Sequence, residues 1–179
     1  MRQSRSELEA DGWAFALHLY AQPGIADACL MLQDEAGVDV MMFLMTIFAA
    51  VRHRVLLTPA EIRELDEVCR PWREQIVQPL RALRTRLKTG PLPAPSSATE
   101  PFRSTIKAAE LAAERLQNQL LAERLPLRAP ERDPLAPEDL RSVLRSVVTL
   151  ALEKRPGKQL SDLQSSIDAI VDAAMQDTR

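Results

Sequence analysis

Three carboxylates, Asp34, Glu35 and Asp39, stand in the pattern D-E-x-x-x-D just ahead of an apolar segment. Oxygen donors of this kind suit a hard cation such as magnesium or calcium, or a cationic partner. The competing assignment pairs Asp34 and Glu35 with arginines of neighbouring helices and leaves Asp39 to cap the segment that follows. Neither spacing nor context matches a metal loop, so no metal ligand is assigned. A second set, Arg73, Arg81, Arg84 and Lys88, falls on one side of a basic stretch over 70–88 whose one acid is Glu74. Forked guanidinium donors fit phosphate on RNA, lipid or a nucleotide. Internal pairing with the acidic helix before it accounts for the same residues and is preferred. Trp72 lies on the apolar stripe of that stretch and no aromatic platform accompanies the arginines, which argues against nucleic acid and leaves anionic lipid as a lesser alternative. A third set, Met41, Met42 and Met45, could line a pocket for an apolar ligand or a partner helix, since methionine adapts to irregular surfaces. Core packing accounts for the same residues and is preferred.

Other chemistry lacks its usual supports. The chain has two histidines, and no Gly-rich phosphate loop or Ser-His-Asp set emerges. No catalytic residue and no cofactor is assigned, and a binding protein is favoured over an enzyme. No catalytic or ligand role is assigned to His18, which reads as a solvent-edge or capping residue. Cys29 and Cys69 stand alone, as buried thiols of a reducing compartment. A net charge of −2 supplies no whole-molecule attraction to nucleic acid or anionic membrane. The first residues lack the apolar core of a signal peptide, and the longest apolar run is too short to span a bilayer, so a cytoplasmic protein is expected.

The elements that must position these groups are helices. Over 40–51 only Thr46 has a polar side-chain group, so a helix there is apolar on every side and needs cover on every side. Ahead of it, Ser6-x-x-Glu9 has the form of a capping box opening a first helix to about Ala21, with Trp13, Ala16, Leu17 and Tyr20 on one stripe widened by Phe15 and Leu19. Gly12 weakens that helix or marks a close contact. Pro23-Gly24 starts a second helix that Gly37 ends, with Ile25, Ala28, Cys29 and Leu32 inward. Thr58-Pro59-Ala60-Glu61 opens a further helix, and Pro71 and Pro79 should bend the basic one, whose apolar side is Trp72, Ile76, Leu80, Leu83 and Leu87.

Residues 90–101, GPLPAPSSATEP, read as an exposed linker. Phe102, Ile106, Ala109, Ala113, Leu116 and Leu120 then alternate steps of four and three, a narrow seam that packs on the core or pairs with a second copy or another protein. A proline-rich loop over 125–137 precedes a helical hairpin over 138–179, turned at Pro156-Gly157. The expectation is an all-α fold: one bundle of about seven to eight helices around a buried Met-rich helix, with a core over 1–89, the linker, the seam helix over 102–124, the loop and the hairpin.

Taken in order, WAFALHLYAQPGIADACLMLQDEAGVDV from Trp13, PWREQIVQPLRALRTRLK from Pro71 and AELAAERLQNQL from Ala109 resemble a proteobacterial family of small all-helical proteins of unknown function. The elements W-x-F-A, P-G, A-C-L-x-L-Q-D and P-W-R-E-Q carry the likeness, which covers about 12–123 and leaves the hairpin outside. The resemblance implies a bacterial, cytosolic, helical protein and brings no activity, cofactor or site. It departs at Met41, where similar sequences carry a polar residue after D-V. The functional expectation is therefore a non-enzymatic binding or adaptor module for a protein partner, or a self-associating one. A small enzyme or carrier with an apolar pocket behind the acidic cluster is the alternative, followed by a peripheral binder of phosphate-bearing polymers or lipid.

Overall fold

The computed structural model describes residues 4–130 and 134–176 of the chain. It is an all-α bundle, and among the described residues there is no strand and no helix long and apolar enough to cross a membrane. The helices are α1 (Arg5–Tyr20), α2 (Ile25–Met31), α3 (Val40–His53), α4 (Pro59–Trp72), α5 (Gln78–Arg86), α6 (Glu100–Arg124), α7 (Pro137–Leu152) and α8 (Gln164–Gln176). Two wide π turns, Leu32–Ala36 and Arg73–Val77, extend α2 and join α4 to α5 in one rod.

The axis of the bundle is α3. Every residue over 42–51 is buried, as an all-apolar helix requires, and α1, α6, α7 and α8 pack around it. Asp39 caps it by accepting from the Met42 amide at 3.1 Å, and Thr46, fully buried, donates to the Met42 carbonyl at 2.9 Å. Leu140, Leu144, Val147 and Val148 of α7 and Ile167, Ile170, Val171 and Ala174 of α8 join α3 in the same apolar core. Each large aliphatic side chain buried this way contributes about 1.5–3 kcal/mol. The loop expected over 125–137 falls partly on 131–133, and the end of the hairpin on 177–179, outside the described residues.

Several local expectations need correction. The first capping box uses Ser4 and Glu7, not Ser6 and Glu9: Ser4 Oγ accepts from the Glu7 amide and Glu7 accepts from the Ser4 amide at 2.7 Å. S-x-x-E occurs twice, two residues apart, and the earlier copy yields the longer helix. On α1 the buried line is Leu8, Gly12, Phe15, Ala16 and Leu19, while Leu17 is exposed. Gly12 marks a close approach, because a Cβ there would lie 2.8 Å from Met45 Sδ. Thr58 and Glu61 form the capping box expected of them, with Pro59 in the first turn. The helix expected from residue 102 begins at Glu100, with Pro101 in its first turn.

The close seat of Gly12 on the fully buried Met45 gives a stability test. Gly12→Val places branched carbons where the methionine already sits, and we expect a loss of about 1–3 kcal/mol in denaturant unfolding. Unchanged stability would mean that α1 and α3 are not in contact at this point.

Candidate functional site

The charged residues assemble from three elements. Asp39 stands at the N-terminus of α3, Asp66 on α4, and Arg73 follows at the start of the second π turn. All three are buried. Arg73 donates to Asp39 Oδ2 at 2.7 Å and to Asp66 Oδ1 at 2.8 Å, so one planar guanidinium bridges two carboxylates. Gln117 of α6 also donates to Asp39, and Asp66 receives Arg70 at 2.7 Å and Lys154 of α7 at 3.3 Å. Burial pushes the Asp66 carboxyl up, but Arg70, Arg73 and Lys154 outweigh it and hold it below its ordinary value. A cleft of about 140 Å³ opens beside this group, with Gly37, Met42, Glu74, Lys154 and Arg155 on its walls. An anion entering it would have to compete with two carboxylates already paired to Arg73.

The second π turn decides which way the rod faces. The Gln78 amide reaches back to the Arg73 carbonyl, five residues earlier, and Pro79 has no amide to offer. Upstream, Ile62, Leu65 and Cys69 point into the core. Downstream, α5 has no buried residue and packs chiefly on α6. Charge holds that pairing: Arg81 donates to Glu110 at 2.8 Å and also to Glu114 and Gln33, and Arg84 donates to both oxygens of Glu110. Burial alone pushes Glu110 up, yet Arg84 and Arg81 hold it low. Glu114 stays raised because burial prevails there over Arg81. Trp72 adds a bond from its indole to the Ala113 carbonyl at 3.0 Å.

This inverts the reading of faces from periodicity. The inner side of α6 carries Glu110, Gln117 and Asn118, all buried, beside Ala113, Leu121 and Ala122. Along the apolar seam, Ala113 is buried and Ile106 and Leu120 are half-buried, but Phe102, Ala109 and Leu116 are exposed. Along 76–87, Leu80 and the C-cap Leu87 are half-buried, while Ile76 of the π turn and Leu83 are exposed. Glu110, Glu114 and Gln117 recur at steps of four and three against the arginines of 73–84. Those matched polar stripes were the available signal for the buried network.

The three candidate sets are placed as follows. Asp34 is exposed, Glu35 pairs with Lys158, and Asp39 pairs with Arg73, so the acidic trio does not act as one cluster. Among the described residues no three His, Cys, Asp or Glu side chains lie close enough to hold a metal ion. Arg73, Arg81 and Arg84 turn inward to carboxylates, whereas Lys88 is exposed. Met45 fills the space over Gly12, Met42 borders the polar cleft and Met41 is half-buried, so the methionines do not line one cavity. Both cysteines are buried, and burial pushes each thiol up to about 12.

Removing the shared cation is the direct test of the network. Arg73→Met leaves Asp39 and Asp66 buried without their bridge, at an expected cost of about 3–5 kcal/mol. The pH dependence has a definite sign. Asp66 has a depressed carboxyl, so its contribution is present in full above its ordinary 3.8 and is lost as pH falls through its lower folded value. Unfolding followed from neutral pH downward should show that acid-labile component in the wild type and a diminished one in the variant; equal stability and equal acid profiles would refute the assignment.

No curated protein and no solved structure matches the chain. A family model described as "Protein of unknown function (DUF2390)" matches residues 11–121, from α1 into the last turn of α6, and includes Asp39, Asp66, Arg73, all of α5 and most of α6. With well over half of its length matched, the chain belongs to that family of unknown function.

Proposed function

We propose that this protein is a non-enzymatic helical interaction module of the cytoplasm, and that its contact surface is the outer face of the α5–α6 hairpin. One observation carries the reading: the apolar seam of each helix is only half used. Leu80, Leu87, Ile106 and Ala113 are at least half-buried and Leu120 packs on the core, while Ile76, Leu83, Phe102 and Leu116 are exposed. An apolar surface grouped in this way marks a contact site more often than scattered exposed leucines do. The hairpin is tied to the bundle by ion pairs, hydrogen bonds and the inner Leu121 and Ala122 of α6, so its outer face is not needed to close the core. The polar cleft supports this reading over an enzyme or carrier, because Asp39 and Asp66 are already engaged by arginine. The inward pairing of Arg73, Arg81 and Arg84 likewise weighs against a phosphate-binding face. Two buried, unpaired cysteines fit a reducing setting.

A photoreactive residue introduced at Leu83 or Leu116 tests the surface in the cells that make the protein. Discrete crosslinked products are expected from both positions and none from the exposed Ser142 on α7. Absence of products at Leu83 and Leu116, or equal labelling at all three positions, would overturn the proposal.

A further inference from the structure

Resting on that reading, we infer that the occupant of the α5–α6 face is a second copy of this chain, the two hairpins closing into an antiparallel four-helix bundle. The register of the hairpin is set by Arg84 with Glu110 and Arg81 with Glu110 and Glu114, which makes α5 and α6 antiparallel. Each helix turns its half-buried apolar positions toward the other. The exposed ones, Ile76 in the π turn, Leu83 on α5, and Phe102, Ala109 and Leu116 on α6, lie one step farther round. Because the helices run in opposite directions, that step leads both lines to the same side of the hairpin. It is the side away from α1, which α6 meets through Asn118 and Glu9.

Two helices with seams opened to one side form half of a four-helix bundle, whose other half must offer the same pattern. A two-fold pairing supplies that pattern without a second protein, since an isologous interface is self-complementary. Charge sets the direction. At the distal end Arg86 and Lys88 are exposed and without a carboxylate partner among the described residues. At the proximal end the line of Phe102, Ala109 and Leu116 runs on, seven residues later, to the exposed Glu123, whose described contact is the neutral Gln119. Antiparallel pairing carries each basic end toward the other copy's Glu123, and parallel pairing would set like charges together. The size agrees with a modest dimer. From Phe102 to Glu123 α6 rises about 31 Å and from Ile76 to Leu87 the rod rises about 16 Å, each about 10 Å wide, so the footprint is about 480 Å² a copy. Both copies together bury about 950 Å², the size of a weak, concentration-dependent interface.

Light scattering across a protein concentration series, from low micromolar to near millimolar, reads the association. The mass should rise from 20.0 kDa toward twice that value. Leu83→Glu and Leu116→Glu should each abolish the rise with little change in helicity or melting temperature, and Leu30→Glu, at an exposed leucine of α2, should leave it intact. Glu123→Lys and added salt should both weaken the association. A monomer at every concentration, or a dimer indifferent to both hairpin variants, overturns the inference. The crosslinking of the preceding subsection separates this failure from that of the broader reading. A product of homodimer mass from Leu116 supports the second copy. A product of another mass removes it and leaves the interaction surface standing, and no product removes both.

Discussion

Ten consecutive buried residues of α3, over 42–51, can be kept from water only by neighbours on every side. That requirement arranges most of the molecule. α1 approaches closely enough that residue 12 must lack a side chain, α6 covers another flank through Leu121 and Ala122, and α7 and α8 supply aliphatic residues on the rest. The match to the family ends at residue 121, yet Leu144, Val147, Val148 and Ile167 beyond it belong to the same core. In this chain the matched region therefore depends on the hairpin that follows it for the cover of its own central helix.

What α3 cannot reach has to be held by other forces. The α4–α5 rod leaves the core at the second π turn, and there apolar packing gives way to charge. Arg73 is buried at that point, bonded to the cap of α3 and to α4, while Gln117 brings α6 to the same carboxylate. A buried arginine between two acids contributes little net stability over a well-packed apolar trio, because its desolvation offsets much of the attraction. Its geometric demand is severe, however. The fork must meet Asp39 and Asp66 together, which fixes the rotation of the rod about its axis and so determines which residues of α5 face α6.

Much of this was legible in the residues. The uninterrupted apolar stretch announced a helix with no exposed side, Thr58-Pro59-Ala60-Glu61 a helix start, Gly37 a left-handed stop and Asp39 a cap, and the structure has each of them. The faces of α5 and α6 were misjudged because hydrophobic periodicity equates the apolar side with the inner side. That equation fails where the neighbour offers carboxylates in register with arginines. Glu110 and Gln117 lie inside because Arg84 and Asp39 await them, and Phe102 and Leu116 are displaced outward. The π turn was invisible for another reason: a proline forecasts a broken hydrogen bond, but whether the chain kinks or widens depends on what the following turns must pair with.

Along the hairpin, the residues that folding uses are separate from those of the proposed contact face. In a bundle closed by apolar packing, a charge placed in a seam unfolds the protein, and the loss of a partner cannot be told from the loss of structure. Here the seam is divided. Its inner half, with the ion pairs, holds α5 to α6, and its outer half contributes nothing to the apolar core around α3. Leu83 and Leu116 each remain about half exposed in the folded chain, so replacing either with a polar residue removes little buried area and should cost the isolated protomer well under the values seen for core truncations. An apolar line that folding does not use, on a hairpin whose internal contacts are already satisfied by charge, gains burial only through association.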